Sequence, residues 1–131
     1  MFETVSKEKA KNLSVLVLAF VGDAAYTLSV REKLSEDGDF KAGELNKKAA
    51  DIVCARAQAE KSDRLLSLFT EEEAEIFRRG RNAKKGTRAK HATVSEYNAS
   101  TGFEAVLGYL YLTGQYERLE YIVNYGEEKI R

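Results

Sequence analysis

Two carboxylates stand where a helix accommodates them poorly. Asp23 follows Leu18-Ala19-Phe20-Val21-Gly22, and Glu104 sits between Phe103 and Ala105-Val106-Leu107-Gly108. At helical spacing, Ala19 and Phe20 lie one turn before Asp23, with Tyr26 and Thr27 one turn after. Ser100, Thr101, Leu107 and Gly108 flank Glu104 in the same way. An ionised acid on an apolar face is costly unless a cation, a metal or several donors meet it. Ala19, Gly22, Ala24, Ala105 and Gly108 are small enough to let two such helices approach and bring the acids together. An all-oxygen pair completed by water suits Mg2+ or Mn2+, the ions that activate water and stabilise charge in phosphodiester cleavage. The spacing is equally compatible with each acid capping an amide, pairing with a lysine or facing solvent.

A second feature is the run Arg78-Arg79-Gly80-Arg81-Asn82-Ala83-Lys84-Lys85-Gly86-Thr87-Arg88-Ala89-Lys90, which holds seven of the 21 basic residues and no acid. The formal net charge of the chain is zero, so the remaining 14 basic residues face all 21 acids on an acidic body. Such a run is commonly a solvated face. Its chemical alternative is phosphate binding, because duplex RNA hides its base edges in a deep, narrow groove and is held mainly through its backbone. On that reading the run is a loop that Gly80 and Gly86 allow to reshape along a groove, with Asn82 or Thr87 touching sugar hydroxyls or base edges. His91, the one histidine, adjoins this run and suits RNA contact or solvent better than catalysis.

These groups must be positioned by helices. There is no proline, apolar residues recur every three or four positions, and alternation is hard to find. The spacing predicts a long apolar helix from Asn12 to Glu36, ended by Asp37-Gly38-Asp39. A second stretch runs from Gly43 to Phe69, bent near Ala55 or Ser62, and Thr70 with Glu73 forms a capping-box pattern that starts a short helix leading into the basic loop. Thr93 to Thr113 reads as another apolar helix broken by Gly114, and Gln115 to Ile130 as the last. At 131 residues and 44% hydrophobic content, the chain reads as one domain spanning residues 1–131.

The apolar run Val15 to Ala25 is too short to span a bilayer, no leader-like segment opens the chain, and the lone Cys54 has no disulfide partner. A cytoplasmic protein without membrane association is the expectation, with Cys54 buried as a small hydrophobe. Tyr26, Phe103, Tyr109 and Tyr111 are expected in the core.

The wording around the acids resembles the ribonuclease III family. Leu18 through Ala24 is similar to its signature helix, and Phe103-Glu104-Ala105-Val106-Leu107-Gly108 to its second acidic motif. Gly43-Glu44-Leu45-Asn46-Lys47-Lys48-Ala49-Ala50 fits between them. Arg79-Gly80-Arg81-Asn82-Ala83-Lys84 with Gly86-Thr87 resembles the short members that lack a separate double-stranded-RNA-binding domain. The resemblance implies an all-α, homodimeric bundle like that family's endonuclease domain, and a Mg2+-dependent (or Mn2+-dependent) endoribonuclease for double-stranded RNA. Its implied task is maturing the ends of bacterial 23S ribosomal RNA precursor, with a ribosomal protein presenting the substrate.

In this frame Asp23 and Glu104 are catalytic and metal-binding. Arg78, Arg79, Arg81, Asn82, Lys84, Lys85, Thr87, Arg88 and Lys90 bind RNA, and Phe20 packs across a two-fold axis. Larger members carry acids where this chain has Ala19 and Thr101, so the metal shell is thinner and Thr101 becomes a candidate for orienting a water. The same replacements motivate an alternative, a catalytically silent RNA-binding or ribosome-associated module.

Overall fold

The computed structural model describes residues 3–38, 41–86 and 91–126. Among them lie α1 (Lys7–Lys11), α2 (Val15–Asp37), α3 (Ala42–Val53), α4 (Ala55–Leu65), α5 (Glu71–Asn82), α6 (Val94–Leu112) and α7 (Tyr116–Val123), with a 3-10 turn at Leu66–Leu68 and no strand. The expected all-α class holds.

Helix starts follow side-chain caps that satisfy otherwise orphaned backbone donors. Ser6 Oγ accepts from Lys9 N at 3.1 Å and Ser14 Oγ from Leu16 N at 3.2 Å, which splits the expected Asn12 to Glu36 helix from a separate first turn. Thr70 and Glu73 close a reciprocal capping box at 3.1 and 3.0 Å, and Thr93 and Glu96 close another at 3.0 and 2.9 Å. The bend expected near Ala55 or Ser62 occurs at Cys54, whose extended backbone (φ −63°, ψ 157°) separates α3 from α4. Ser62 lies on unbroken helix. Gly114 ends α6 at φ 73°, and Gly126 follows α7 at φ 85°, both in the left-handed region that a glycine enters without penalty. The last helix is accordingly shorter than expected, and residues 127–131 lie outside the described residues.

The basic segment departs most from expectation. Arg78, Arg79, Arg81 and Asn82 occupy the final turns of α5 instead of a loop. The helix continues because Ile76, Phe77 and Gly80 on its inner face are buried against α6. Gly80 is thus a packing residue, and Thr87, Arg88 and Lys90 lie outside the described residues.

Helix α6 is the centre of the body: Phe103, Ala105, Val106, Leu107 and Tyr109 are fully buried, and α2, α4 and α5 pack around it. Each large apolar side chain enclosed this way contributes about 1.5–3 kcal/mol. Tyr26 of α2 meets Phe103 edge to face, with ring centroids 5.4 Å apart. Arg118 of α7 forks onto the buried Glu73 at 2.7 and 2.8 Å and also donates to Leu68 O at 2.7 Å. This charge-assisted fork fastens the last helix. Tyr26, Phe103 and Tyr109 lie in the core as expected and Tyr111 is only half-buried, whereas Cys54 is exposed because the break between α3 and α4 turns it outward.

The crossing of α2 with α6 is glycine-made. A Cβ on Gly22 would fall 1.7 Å from Glu104 O, and one on Gly108 would fall 1.8 Å from Leu18 O. Both targets are backbone, so neither can move without separating α2 from α6. Gly22→Ala and Gly108→Ala are each expected to cost about 3 kcal/mol or more. In α3, by contrast, a Cβ on Gly43 meets nothing within 4 Å. Gly43→Ala should therefore gain about 0.5–1 kcal/mol from helix propensity. Urea denaturation of the three variants checks both signs.

Candidate active site

The α2–α6 crossing sets the two acids beside one another. Asp23 follows the contact glycine of α2, and Glu104 carries the carbonyl against which that glycine rests. Both line one cleft of about 230 Å3, together with Ala19, Phe20, Lys85, Tyr97 and Thr101. A wider groove of about 770 Å3, bordered by Asp63, Arg81, Asn82 and Glu96, holds neither acid of the pair.

The two acids differ in environment. Asp23 is exposed at the cleft mouth, contrary to the expectation of a buried face, because the cleft opens on the side of α2 just past Gly22. Glu104 is mostly enclosed. Burial pushes its carboxyl up to about 8, an effect opposed by the Gln58 amide that donates to it and reinforced by the neighbouring Asp23. Among the described residues no third Asp, Glu, His or Cys joins the pair.

The residues that replace expected acids are both in place. Ala19 and Thr101 line the cleft and are largely buried. The Thr101 hydroxyl donates to Tyr97 O at 3.1 Å, leaving its lone pairs as acceptors. Lys85 also reaches the cleft. Its ammonium, however, donates to Gly80 O at 2.9 Å, Arg81 O at 3.2 Å and Ala83 O at 2.7 Å. These bonds cover the carbonyl end of α5. Burial draws the Lys85 pKa below the ordinary lysine value. Arg81 and Asn82 border the other groove, Lys84 is exposed, and Arg78 is paired with Glu75 at 2.6 Å. Of the described basic side chains in the run, Lys85 alone borders the acid pair's cleft. His91 is exposed and does not line that cleft.

Gln58 is the site residue that sequence reasoning missed. It is 2% exposed, and its Nε2 donates both to Glu104 Oε2 at 3.0 Å and to Val53 O at 2.8 Å. The available signal was one uncharged amide set among Ala55, Ala57 and Ala59 on a helix with an apolar face.

A helical body that presents a close pair of carboxylates in an open cleft beside a strongly basic segment defines a class: a nuclease-like domain handling a polyanion. Comparison with known proteins makes this specific. The model of the ribonuclease III domain matches residues 16–115. Mini-ribonuclease 3 of a Thermoanaerobacter species is 45% identical over 128 residues, covering 98% of this chain and 90% of that one. Mini-ribonuclease 3 of Enterococcus faecalis is 44% identical over 122 residues, covering 92% of each. A crystal structure of a Fusobacterium nucleatum protein superposes with a TM-score of 0.83 at 31% identity, covering 92% of this chain and 96% of that one. The chain belongs to the ribonuclease III family, among relatives named Mini-ribonuclease 3, and is an endoribonuclease, a hydrolase of RNA phosphodiester bonds. The silent-module alternative gives way to that assignment. No helix among the described residues is long and apolar enough to cross a membrane.

The raised Glu104 carboxyl has a pH signature. Its folded value of about 8 exceeds the ordinary 4.5, so between the two the native state holds a proton that the unfolded chain has released. With a chelator present, this group's contribution is full below the ordinary value and is lost as pH rises towards about 8. Thermal melts across that window should show the wild type losing stability relative to Glu104→Gln. Parallel curves for the two proteins would contradict the assignment.

Proposed function

We propose that this double-stranded-RNA endoribonuclease hydrolyses its substrate with Asp23 and Glu104 as the catalytic, metal-holding pair. The observation that carries the reading is the convergence of these two acids, from helices far apart in the chain, on one open cleft. The donor set fits a hard divalent cation: two carboxylate groups, one of them raised by burial and by its neighbour's charge, with room in the cleft for water to complete the shell. Mg2+ is the preferred ion, with Mn2+ able to substitute. Bound there, it would supply Lewis acidity towards a phosphate oxygen and lower the pKa of the attacking water.

The chain's own groups do the remainder. Asp23 at the mouth and Glu104 at the floor, the latter giving up its proton when a cation binds, would supply the negative charge the cation needs, and the Thr101 hydroxyl oxygen can accept from a water between them. Arg78, Arg79, Arg81, Asn82, Lys84 and Lys85, continuing through Thr87, Arg88 and Lys90, offer the duplex backbone a cationic track in place of a separate binding domain. The Arg78–Glu75 pair is solvent-exposed and worth little, so a phosphate can replace it.

We further propose that the enzyme works as a homodimer through α2. Leu16, Phe20 and Leu28 repeat at helical spacing on its outer face, with Val17 beside them. Phe20 is 80% exposed, an unusual position for so large an apolar ring. Cutting both strands of a duplex calls for two sites related by a dyad, which one copy does not supply. The proposed substrate is the 23S ribosomal RNA precursor in a bacterial cytoplasm, with a ribosomal protein presenting the RNA ends.

The decisive assay is cleavage of long duplex RNA in Mg2+. Asp23→Asn and Glu104→Gln should each lower the rate about a hundredfold or more while leaving RNA affinity measured in Ca2+ unchanged. Full activity in either variant removes that residue from the site. Separately, Phe20→Asp should shift the protein from dimer to monomer in sedimentation velocity and reduce double-strand cleavage. A wild type that sediments as a monomer at micromolar concentration argues against the dimer.

A further inference from the structure

We propose that Gln58 is a positioning residue for the reaction, holding the Glu104 carboxylate in its metal-binding orientation; this rests on the acid-pair reading above. Three observations support it. Gln58 sits at the first turn of α4, just after the break at Cys54, and is nearly sealed from solvent. Its Nε2 bridges Glu104 Oε2 at 3.0 Å and Val53 O at 2.8 Å, where Val53 is the last residue of α3. Its Oε1 is buried without a hydrogen-bond partner among the described residues.

The bridge has a geometric meaning. Glu104 has a flexible side chain and no cation close enough among the described residues to form an ion pair with it; the Gln58 amide and the Asp23 carboxyl are the groups that meet it, and of the two the amide is the donor tied to the α3–α4 junction. Anchoring the same nitrogen to Val53 O ties that rotamer to the α3–α4 junction, a backbone feature that does not move with the side chain. The amide thus holds Glu104 Oε2 from the protein side, while the Asp23 carboxyl meets the same Glu104 group from the cleft side.

The orphaned Oε1 argues that stability is not the reason for this amide. A buried acceptor without a partner costs about 1–3 kcal/mol. An apolar residue of the same length would avoid that cost while losing the bond to Val53 O, so the two effects offset. What an apolar residue cannot do is donate to Glu104. Groups that orient a metal-holding carboxylate typically affect metal affinity or activity by about 10–100-fold.

The test compares wild type, Gln58→Met, Gln58→Asn and Glu104→Gln. Met matches the length without the donor, and Asn keeps an amide that is one methylene too short to reach. Mn2+ binding is read directly by electron paramagnetic resonance, RNA affinity in Ca2+, kcat and KM in Mg2+, and thermal stability in chelator. Both Gln58 variants are expected to weaken Mn2+ binding and lower kcat by about tenfold, with RNA affinity and KM within about twofold of wild type. Raised Mg2+ should restore part of the rate.

A folded Gln58 variant with wild-type Mn2+ affinity and kcat overturns the proposal. So does a loss of melting temperature in Gln58→Met with neither quantity changed in Gln58→Asn, which is the mark of a purely structural amide. Should Glu104→Gln itself stay active, the acid-pair reading fails instead, so the two failures are distinct.

Discussion

The contact of α2 with α6 through Gly22 and Gly108 governs this molecule. Each glycine faces a backbone carbonyl of the other helix at a distance that excludes even a methyl group. Close approach removes intervening side chains, and the two backbones then position their neighbours almost rigidly. Asp23 is the residue after one contact glycine, and Glu104 O is the atom that glycine meets. The contact that closes the bundle therefore also sets the separation of the two acids. A second glycine crossing, Gly80 against Gly102, brings α5 onto the same central helix and carries the basic segment towards the cleft.

Around that geometry the electrostatics are unbalanced. Glu104 lies deep enough for burial to favour its neutral form, while Asp23 faces water at the mouth. A close pair of like charges, one desolvated, is a poor arrangement for stability and a good one for receiving a divalent cation. Gln58 and Lys85 temper it differently. The amide donates to Glu104, whereas the ammonium, although beside the cleft, is committed to the carbonyl end of α5. Lys85 thus holds the start of the basic segment against the body and lends its charge to the cleft at the same time.

The surfaces divide by function. One face of α2 is buried on α6 through Leu18, Gly22, Tyr26 and Val30, and the other leaves Leu16, Val17, Phe20 and Leu28 in the open. A helix apolar on both sides belongs between two layers. Among the described residues, one of those layers is present. The described cationic residues of the run gather at the far end of α5, where Arg81 borders the wider groove and Lys85 the acid pair's cleft.

The helices, several of their ends and the two acids that share the cleft were legible in the chain alone. Serine and threonine caps, the Thr70–Glu73 box, the glycine at 114 and the three-to-four-residue apolar rhythm act within a turn or two of chain, where spacing is enough to reveal them. The motif words around Asp23 and Glu104 then carried the family. Packing in three dimensions settled which acid is buried, that Arg78 to Asn82 extend a helix, that Cys54 faces outward, that Gln58 donates to Glu104 and that Lys85 borders the acids' cleft. Each of these depends on which distant surface a residue meets. Local periodicity assigns a residue to a face but does not say whether α6, a carboxylate 46 positions away or open water will cover it.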